Sequence, residues 1–292
     1  MAQLRIAVIG GNGQLGHDVR EAFAGESEVY SLDHQDLQIE ALNSVAACLS
    51  RLRPDVVVNT AAMHHVENCE IHPHEAYAVN ALGARNLAAV TSDLGATLVH
   101  ISTDYVFDGC KREAYTEDDL PLPLNVYGNS KLAGEYFVRT GNEKHIVLRT
   151  SALYGRNPCR AKGGKNFVDL MLRLGRERGE VRVVANETIT PTSTRELAEQ
   201  VVLLSKAGVY GTFHATAEGQ CSWHQFACEI FSQASLSVLC LIAAPHEFPA
   251  KVRRPSYSVL ENAALKRAGL NRFGDWREGL RAYLEQTRAA VA

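Results

Sequence analysis

Short apolar runs rich in β-branched residues alternate with segments of helical period through the first half of the chain. Residues 4–9 form one such run and end in Gly10-Gly11-Asn12-Gly13, after which residues 14–24 follow a helical pattern. Residues 28–32 predict a second strand, and residues 41–52 a helix that Pro54 stops. Val56-Val57-Val58 predicts a third strand, residues 97–102 a fourth and residues 145–149 a fifth. Pro73 opens a long helical pattern that reaches about residue 94, and residues 126–139 form another. Continuous apolar strands separated by helices predict a parallel sheet, because crossover helices cover both of its faces. With right-handed crossovers this is a doubly wound, Rossmann-type α/β domain over about residues 1–155.

Beyond residue 155 the alternation loosens. Residues 166–178 and 193–205 predict helices with a short strand, 181–184, between them. Further helical segments lie near 222–232, 261–268 and 275–286, and Pro245, Pro249 and Pro255 punctuate an irregular stretch. Residues 156–292 are expected to form mainly a smaller C-terminal substrate-binding lobe, with some segments returning to the Rossmann sheet. There is no internal repeat and no low-complexity segment.

Composition narrows the class. Of 292 residues, 46% are hydrophobic and 22% charged, which is ordinary for a globular protein. A formal net charge of −3 argues against a nucleic-acid or anionic-membrane partner. No run approaches the roughly 20 apolar residues that cross a bilayer, and the first residues lead straight into a strand, so a cytoplasmic protein without a leader is expected. Seven cysteines (Cys48, Cys69, Cys110, Cys159, Cys221, Cys228 and Cys240) are scattered without a Cys-x-x-Cys pair. They read as small packing residues in a reducing compartment, with no metal site expected.

The loop after the first strand carries the first candidate chemistry. Gly10, Gly13 and Gly16 have the spacing of a phosphate-cradling turn, with Asn12, Gln14 and Leu15 among them. Glycine lets the backbone turn tightly and approach a pyrophosphate, and the helix that follows offers free N–H groups and a positive dipole end. The strand-loop-helix context that this motif requires is present. At the end of the second strand, Asp33 is placed to receive adenosine ribose hydroxyls, and its charge leans the cofactor towards NADH over NADPH. Asp36 and Leu37 are the next candidates, for the adenine edge.

The second candidate is Thr103, at the carboxyl end of the fourth strand, with Tyr127 and Lys131 further on. Tyr127 and Lys131 are four apart and share a helix face. A free phenol titrates near pH 10 and is a poor proton donor to a reaction at neutral pH. A neighbouring ammonium is expected to lower that pKa and, in addition, to hold the nicotinamide ribose.

These residues resemble the extended short-chain dehydrogenase/reductases and, within them, the dTDP-4-dehydrorhamnose reductase family. The resemblance rests on the glycine loop, Asn59-Thr60-Ala61-Ala62, Val79-Asn80-Ala81, Ser102-Thr103-Asp104-Tyr105-Val106-Phe107-Asp108-Gly109, Tyr127-Gly128 with Lys131-Leu132-Ala133-Gly134-Glu135, Pro191-Thr192-Ser193 and Arg254-Pro255, in order through most of the chain. It implies an NAD(P)H-dependent oxidoreductase of nucleotide-sugar metabolism that reduces the C4 keto group of a 6-deoxyhexulose carried on a nucleotide. Tyr127 would donate the proton, Lys131 would tune it and hold the ribose, and Thr103 would bond the reacting oxygen. Asp104 would touch the sugar, while Ala61, Ala62 and Met63 would line the cofactor. A homodimer and a magnesium ion are implied by the resemblance only.

Two departures fall where the sugar should sit. The family commonly has a Trp after Thr-Ser, where this chain has Ala152, and the loop Met63-His64-His65-Val66 is unusual. His64, Val66 and Ala152 are accordingly candidates for substrate contact. His64, His65, Cys69, His72 and His74 lie close together, yet Pro73 interrupts any helical pairing, so one or two imidazoles are expected in the sugar pocket and the rest exposed. His100, inside the fourth strand, is expected as a hydrogen-bonded core residue. Two further readings stay open: a related epimerase, which would not consume NAD(P)H, and a regulatory subunit that binds a dinucleotide without turnover.

Overall fold

The computed structural model describes residues 3–25, 27–158, 163–244, 246–248 and 250–289. Cys159, Pro245 and Pro249 lie outside the described residues. In the first half the elements are β1 (Leu4–Ile9), α1 (Gln14–Phe23), β2 (Ser27–Leu32), α2 (Leu42–Leu52), β3 (Val56–Asn59), α3 (Val66–Ile71), α4 (Pro73–Tyr77), a π-helical turn (Ala78–Gly83), α5 (Ala84–Asp93), β4 (Thr97–Thr103), α6 (Val126–Gly141) and β5 (His145–Thr150). In the second half come β6 (Leu153–Tyr154), α7 (Phe167–Glu177), β7 (Glu180–Val183), β8 (Thr188–Ile189), β9 (Thr192–Ser193), α8 (Thr194–Ala207), β10 (Gly211–His214), β11 (Cys221–Ser222), α9 (Trp223–Gln233), β12 (Leu239–Ile242), α10 (Ala263–Arg267) and α11 (Trp276–Ala289).

The main sheet has six strands in the order β2-β1-β3-β4-β5-β10, and every pair is parallel. Alternate residues of each strand serve opposite faces. Ile6, Val8, Val56, Val58, Val99, Ile146 and Leu148 pack beneath α1 and α8, against Leu15, Val19, Phe23, Leu197, Val201 and Leu204. Ala7, Ile9, Val57, Leu98 and Val147 face the other way, against Val45, Leu49, Leu87, Ala88 and Val138 of α2, α5 and α6. Both faces are buried, which explains why the strands read as unbroken apolar runs. The C-terminal lobe has its own core, in which Phe226, Ile230, Trp276, Leu280 and Tyr154 meet.

Three features depart from the pattern read along the chain. The single helix expected over residues 73–94 is interrupted by the π-helical turn, which carries the buried Asn80. Its last residue, Gly83, has no room for a side chain, since a Cβ there would lie 2.7 Å from Ile39. The stretch before Pro73 contains α3, six residues long and too short to show a period; His65 caps it by accepting from Asn68 N. The sixth strand, β10, has the sequence Gly-Thr-Phe-His and lacks the apolar run by which the others were read.

Candidate functional site

The sheet order places β1 between β2 and β3, so winding reverses there, and ligands of open α/β sheets bind at that point beyond the strand ends. A cleft of about 770 Å³ opens at this end. One wall is the loop after β1. Gly10 has φ +74°, and a Cβ on it would lie 2.9 Å from Thr60 Oγ1 and 3.0 Å from Ala61 N. A Cβ on Gly16 would come within 2.2 Å of the Gly10 carbonyl oxygen. Thr60 Oγ1 donates to Ile9 O at 2.7 Å and ties the loop after β3 to β1. The N-cap of α1 is Gly13, without a side-chain cap and with no acidic residue in the first turn, so this helix end faces the cleft with uncommitted amides. A pyrophosphate fits such a cradle.

Gly10, Asn12, Gly13, Gln14, Leu15, Gly16, Asp33, Leu37, Ala61, Ala62, His64, Val66, Thr103, Asp104, Tyr127, Lys131 and Ala152 all line the cleft. Two expected cofactor residues, Asp36 and Met63, are not among its lining residues. The Asp36 carboxylate is turned to accept from Asp33 N at 2.9 Å and buttresses the β2 end. The Met63 backbone is held by Asn80, whose Oδ1 accepts from Met63 N and whose Nδ2 donates to Met63 O, both at 2.9 Å. The same Nδ2 donates to Ser130 Oγ at 3.0 Å, so one buried amide joins the loop after β3 to α6. Asp33 Oδ2 accepts from Asn12 Nδ2 and its Oδ1 from Gln35 N, each at 2.8 Å. The Gln35 N–H, above all, holds this carboxyl below its ordinary range.

Asn125 caps α6 by accepting from Gly128 N at 2.9 Å, which sets Tyr127 in the first turn. A Cβ on Gly128 would strike the Tyr105 carbonyl oxygen at 2.2 Å, so only glycine lets this turn close on the end of β4. The Tyr105 ring meets the Tyr127 ring edge-on at 5.9 Å between centroids. Burial pushes the Tyr127 phenol well above its ordinary value, while the Thr103 hydroxyl works against that shift and Asp104 and Cys69 add to it. Thr103 Oγ1 donates to Asp104 Oδ1 at 3.0 Å and accepts from Tyr105 N. Ser151 Oγ donates to Asp104 Oδ2 at 2.9 Å. Burial raises the Asp104 carboxyl to about 6 against these hydroxyl donors. Thr150 Oγ1, also in the cleft wall, is buried without a partner among the described residues.

Lys131 is 2% exposed. Its Nζ donates to Ile101 O at 2.6 Å and faces His100 Nε2 at 3.4 Å. Burial lowers it to about 8, and Glu135 opposes the shift. The bonds of Lys131 run to the end of β4, and the leading influences on the Tyr127 phenol come from elsewhere: burial, Thr103, Asp104 and Cys69. His100, 1% exposed, is bonded to Asn59 Nδ2 at 3.1 Å and held neutral by burial.

The sequence implies no aromatic wall here, because Ala152 stands where the family resemblance implies a Trp. The structure supplies one from elsewhere: Trp223, the first residue of α9, lines the cleft and is fixed by donating Nε1 to Glu187 at 3.0 Å. Arg254 also lines it, paired with Glu67. Trp223 gave no signal along the chain, since only tertiary packing brings α9 to the sheet. Ala152 itself has φ +44°, a left-handed conformation that costs a residue with a side chain about 1–2 kcal/mol. Of the histidines, His64 and His65 line the cleft, whereas His72 is exposed and pairs with Glu75.

Comparison with known proteins agrees with this arrangement. The model of the family described as the RmlD substrate binding domain matches residues 4–289. The chain is 38% identical to the spore coat polysaccharide biosynthesis protein SpsK of Bacillus subtilis, over 98% of this chain and 99% of that one. It is 37% identical to dTDP-4-keto-6-deoxy-D-glucose reductase of Streptomyces niveus, over 94% and 95%. A crystal structure of dTDP-4-dehydrorhamnose reductase from Bacillus anthracis in complex with NADP superposes with a TM-score of 0.93 at 38% identity, over 98% of this chain and all of that one. A match that runs through nearly the whole sheet and lobe places this chain in the RmlD substrate binding domain family.

Proposed function

We propose that the protein is an NAD(P)H-dependent reductase of the C4 keto group of a nucleotide-linked 6-deoxyhexulose. One observation carries this reading: Thr103, Tyr127 and Lys131 meet in a single buried cleft that also receives the uncapped end of α1. When bound, the dihydronicotinamide supplies a hydride. The α1 amides receive the cofactor diphosphate, and Asp33 accepts from the adenosine ribose. The Tyr127 phenol, kept protonated at neutral pH by its burial, donates its proton to the developing alkoxide. Thr103 turns its hydroxyl from Asp104 to the same oxygen, and Asp104 accepts from the sugar. Trp223 provides the apolar wall that position 152 does not. No described helix is long and apolar enough to cross a membrane, and an enzyme drawing on nucleotide sugars and nicotinamide fits the cytoplasm.

The test is oxidation of NADH and of NADPH by dTDP-4-keto-6-deoxy-L-mannose generated in situ. Stoichiometric oxidation is expected, with kcat/KM about tenfold higher for NADH, equivalent to about 1.4 kcal/mol of repulsion between Asp33 and a 2′-phosphate. The preference is graded, since the Bacillus anthracis relative was solved with NADP. Tight dinucleotide binding with no oxidation of either cofactor sinks the proposal.

Lys131 adds a pH dependence. Its amine is lowered to about 8, so the ammonium that can hold ribose hydroxyls exists below that pH and is lost above it. Dinucleotide affinity should therefore be steady up to pH ~8 and fall several-fold by pH ~9.5. In Lys131→Met the affinity should be lower throughout and flat over this range. An unchanged slope in that variant assigns the titration to another group.

A further inference from the structure

Scattered along the sequence, the cysteines have the spacing of packing residues, yet folding gathers two of them around a histidine. His224 and Cys228 are four apart on α9 and so share one of its faces. Cys240 arrives from β12, which runs parallel to β7 beside that helix. One ligand-capable atom from each of the three side chains lies within 4.8 Å of the others. Cys228 Sγ is 3.7 Å from His224 Nε2 and 4.0 Å from Nδ1. All three residues are partly exposed, so an ion can reach them from solvent.

The cluster is somewhat more open than a known geometry. Around a tetrahedral zinc ion, with bonds of ~2.0–2.1 Å to nitrogen and ~2.3 Å to sulfur, the N···S edge is about 3.6 Å and the S···S edge about 3.8 Å. Small rotations of three side chains reach those edges. One nitrogen of the imidazole already has a partner, and a turn of the ring brings the other to the sulfurs, since Cys228 Sγ lies 3.7 Å from Nε2 and 4.0 Å from Nδ1. His224 Nε2 sits 3.2 Å from the Cys240 carbonyl oxygen, and donating there leaves Nδ1 with the lone pair that a metal takes. Ligating histidines usually use their second nitrogen in this way. The backbone supports the site as well: His224 N donates to Val184 O at 3.0 Å, which fixes the start of α9 against the end of β7.

We propose that His224, Cys228 and Cys240 bind one divalent cation of the zinc class. Two thiolates and an imidazole are soft donors that select zinc, or cobalt as its probe, over magnesium. On binding, both thiols lose their protons to solvent and two S–metal bonds form; water fills the fourth position. The ion clips α9 to β12 and so steadies Trp223, the residue that opens α9 and lines the substrate cleft.

The test uses the full chain, reduced and freed of metal by a chelator, titrated with Co2+ and then Zn2+. One equivalent of Co2+ should give thiolate-to-metal charge-transfer absorption in the near ultraviolet, and Zn2+ should abolish it; Mg2+ should do neither. The Cys228→Ser/Cys240→Ser double variant should lose this absorption and bind Zn2+ at least about a hundredfold more weakly. Circular dichroism checks its fold, and Cys228→Ala alone serves if the double variant does not fold. A wild type without the absorption overturns the proposal, as does absorption that survives in the variants. A Cys228–Cys240 disulfide in protein isolated without reductant, seen by mass spectrometry, also overturns it, because the pair would then be a redox couple.

Discussion

Tyr127→Phe should lower turnover roughly a hundred- to ten-thousandfold, the range contributed by a positioned proton donor, while dinucleotide affinity changes less than about threefold. The substitution removes one oxygen and keeps the ring. The edge-on contact with Tyr105 at 5.9 Å depends on the ring alone. The α6 cap at Asn125 and the glycine that lets α6 close on β4 are untouched. What disappears is the phenol hydroxyl that lines the cleft with Thr103 and that we propose as the proton donor. Steady-state oxidation of NAD(P)H gives the first quantity, and quenching of protein fluorescence by the dinucleotide gives the second. Turnover within a few-fold of wild type would move the proton donor elsewhere, with Asp104, raised to about 6, next in line.

The second large effect concerns stability. Glu135→Ala should cost roughly 3–5 kcal/mol, because it strands a buried cation. Arg149 Nη2 lies 2.7 Å from Glu135 Oε2, and both side chains are almost fully buried. The guanidinium also donates through Nε and stacks over Phe107 at 5.2 Å. The other face of Glu135 accepts from Ser102 Oγ, one residue before Thr103. The pair thus links α6, β4 and β5 next to Thr103. Urea unfolding should show a lower midpoint with little change in slope. Glu135→Gln, which keeps the shape and part of the hydrogen bonding, should lie between wild type and Ala. A loss below about 1 kcal/mol in Glu135→Ala would mean that water or a rotated Arg149 compensates.

Much of the site is local and could be read along the chain. The glycine loop, its strand before and helix after, and the Tyr127–Lys131 spacing depend on short-range geometry, and folding leaves them together. What escaped was tertiary. Lys131 shares a helix face with Tyr127, and its amine extends into the sheet, where Ile101 offers a carbonyl at 2.6 Å. Asp36, a candidate because it follows β2, is exposed outside the cleft and braces Asp33 through its backbone N–H. Trp223 and Arg254 come from the second half, and the path of a lobe over a sheet leaves no periodic trace. The π-helical turn preserves an overall helical pattern while shifting its phase, so Asn80 gave no sign that it would hold the loop after β3.

The sixth strand has a consequence for how the molecule is made. β10 pairs with β5, yet β6, α7, β7, β8, β9 and α8 come between them in the chain. Until β10 has left the ribosome, β5 presents an open row of backbone donors and acceptors, a template for mispairing with other chains. α8, which covers one face of the same sheet with Leu197, Val201 and Leu204, also arrives late. Nascent chains halted after β5 therefore expose both an unpaired edge and an apolar face that α1 covers only in part, and this interval is when mispairing is most open to them.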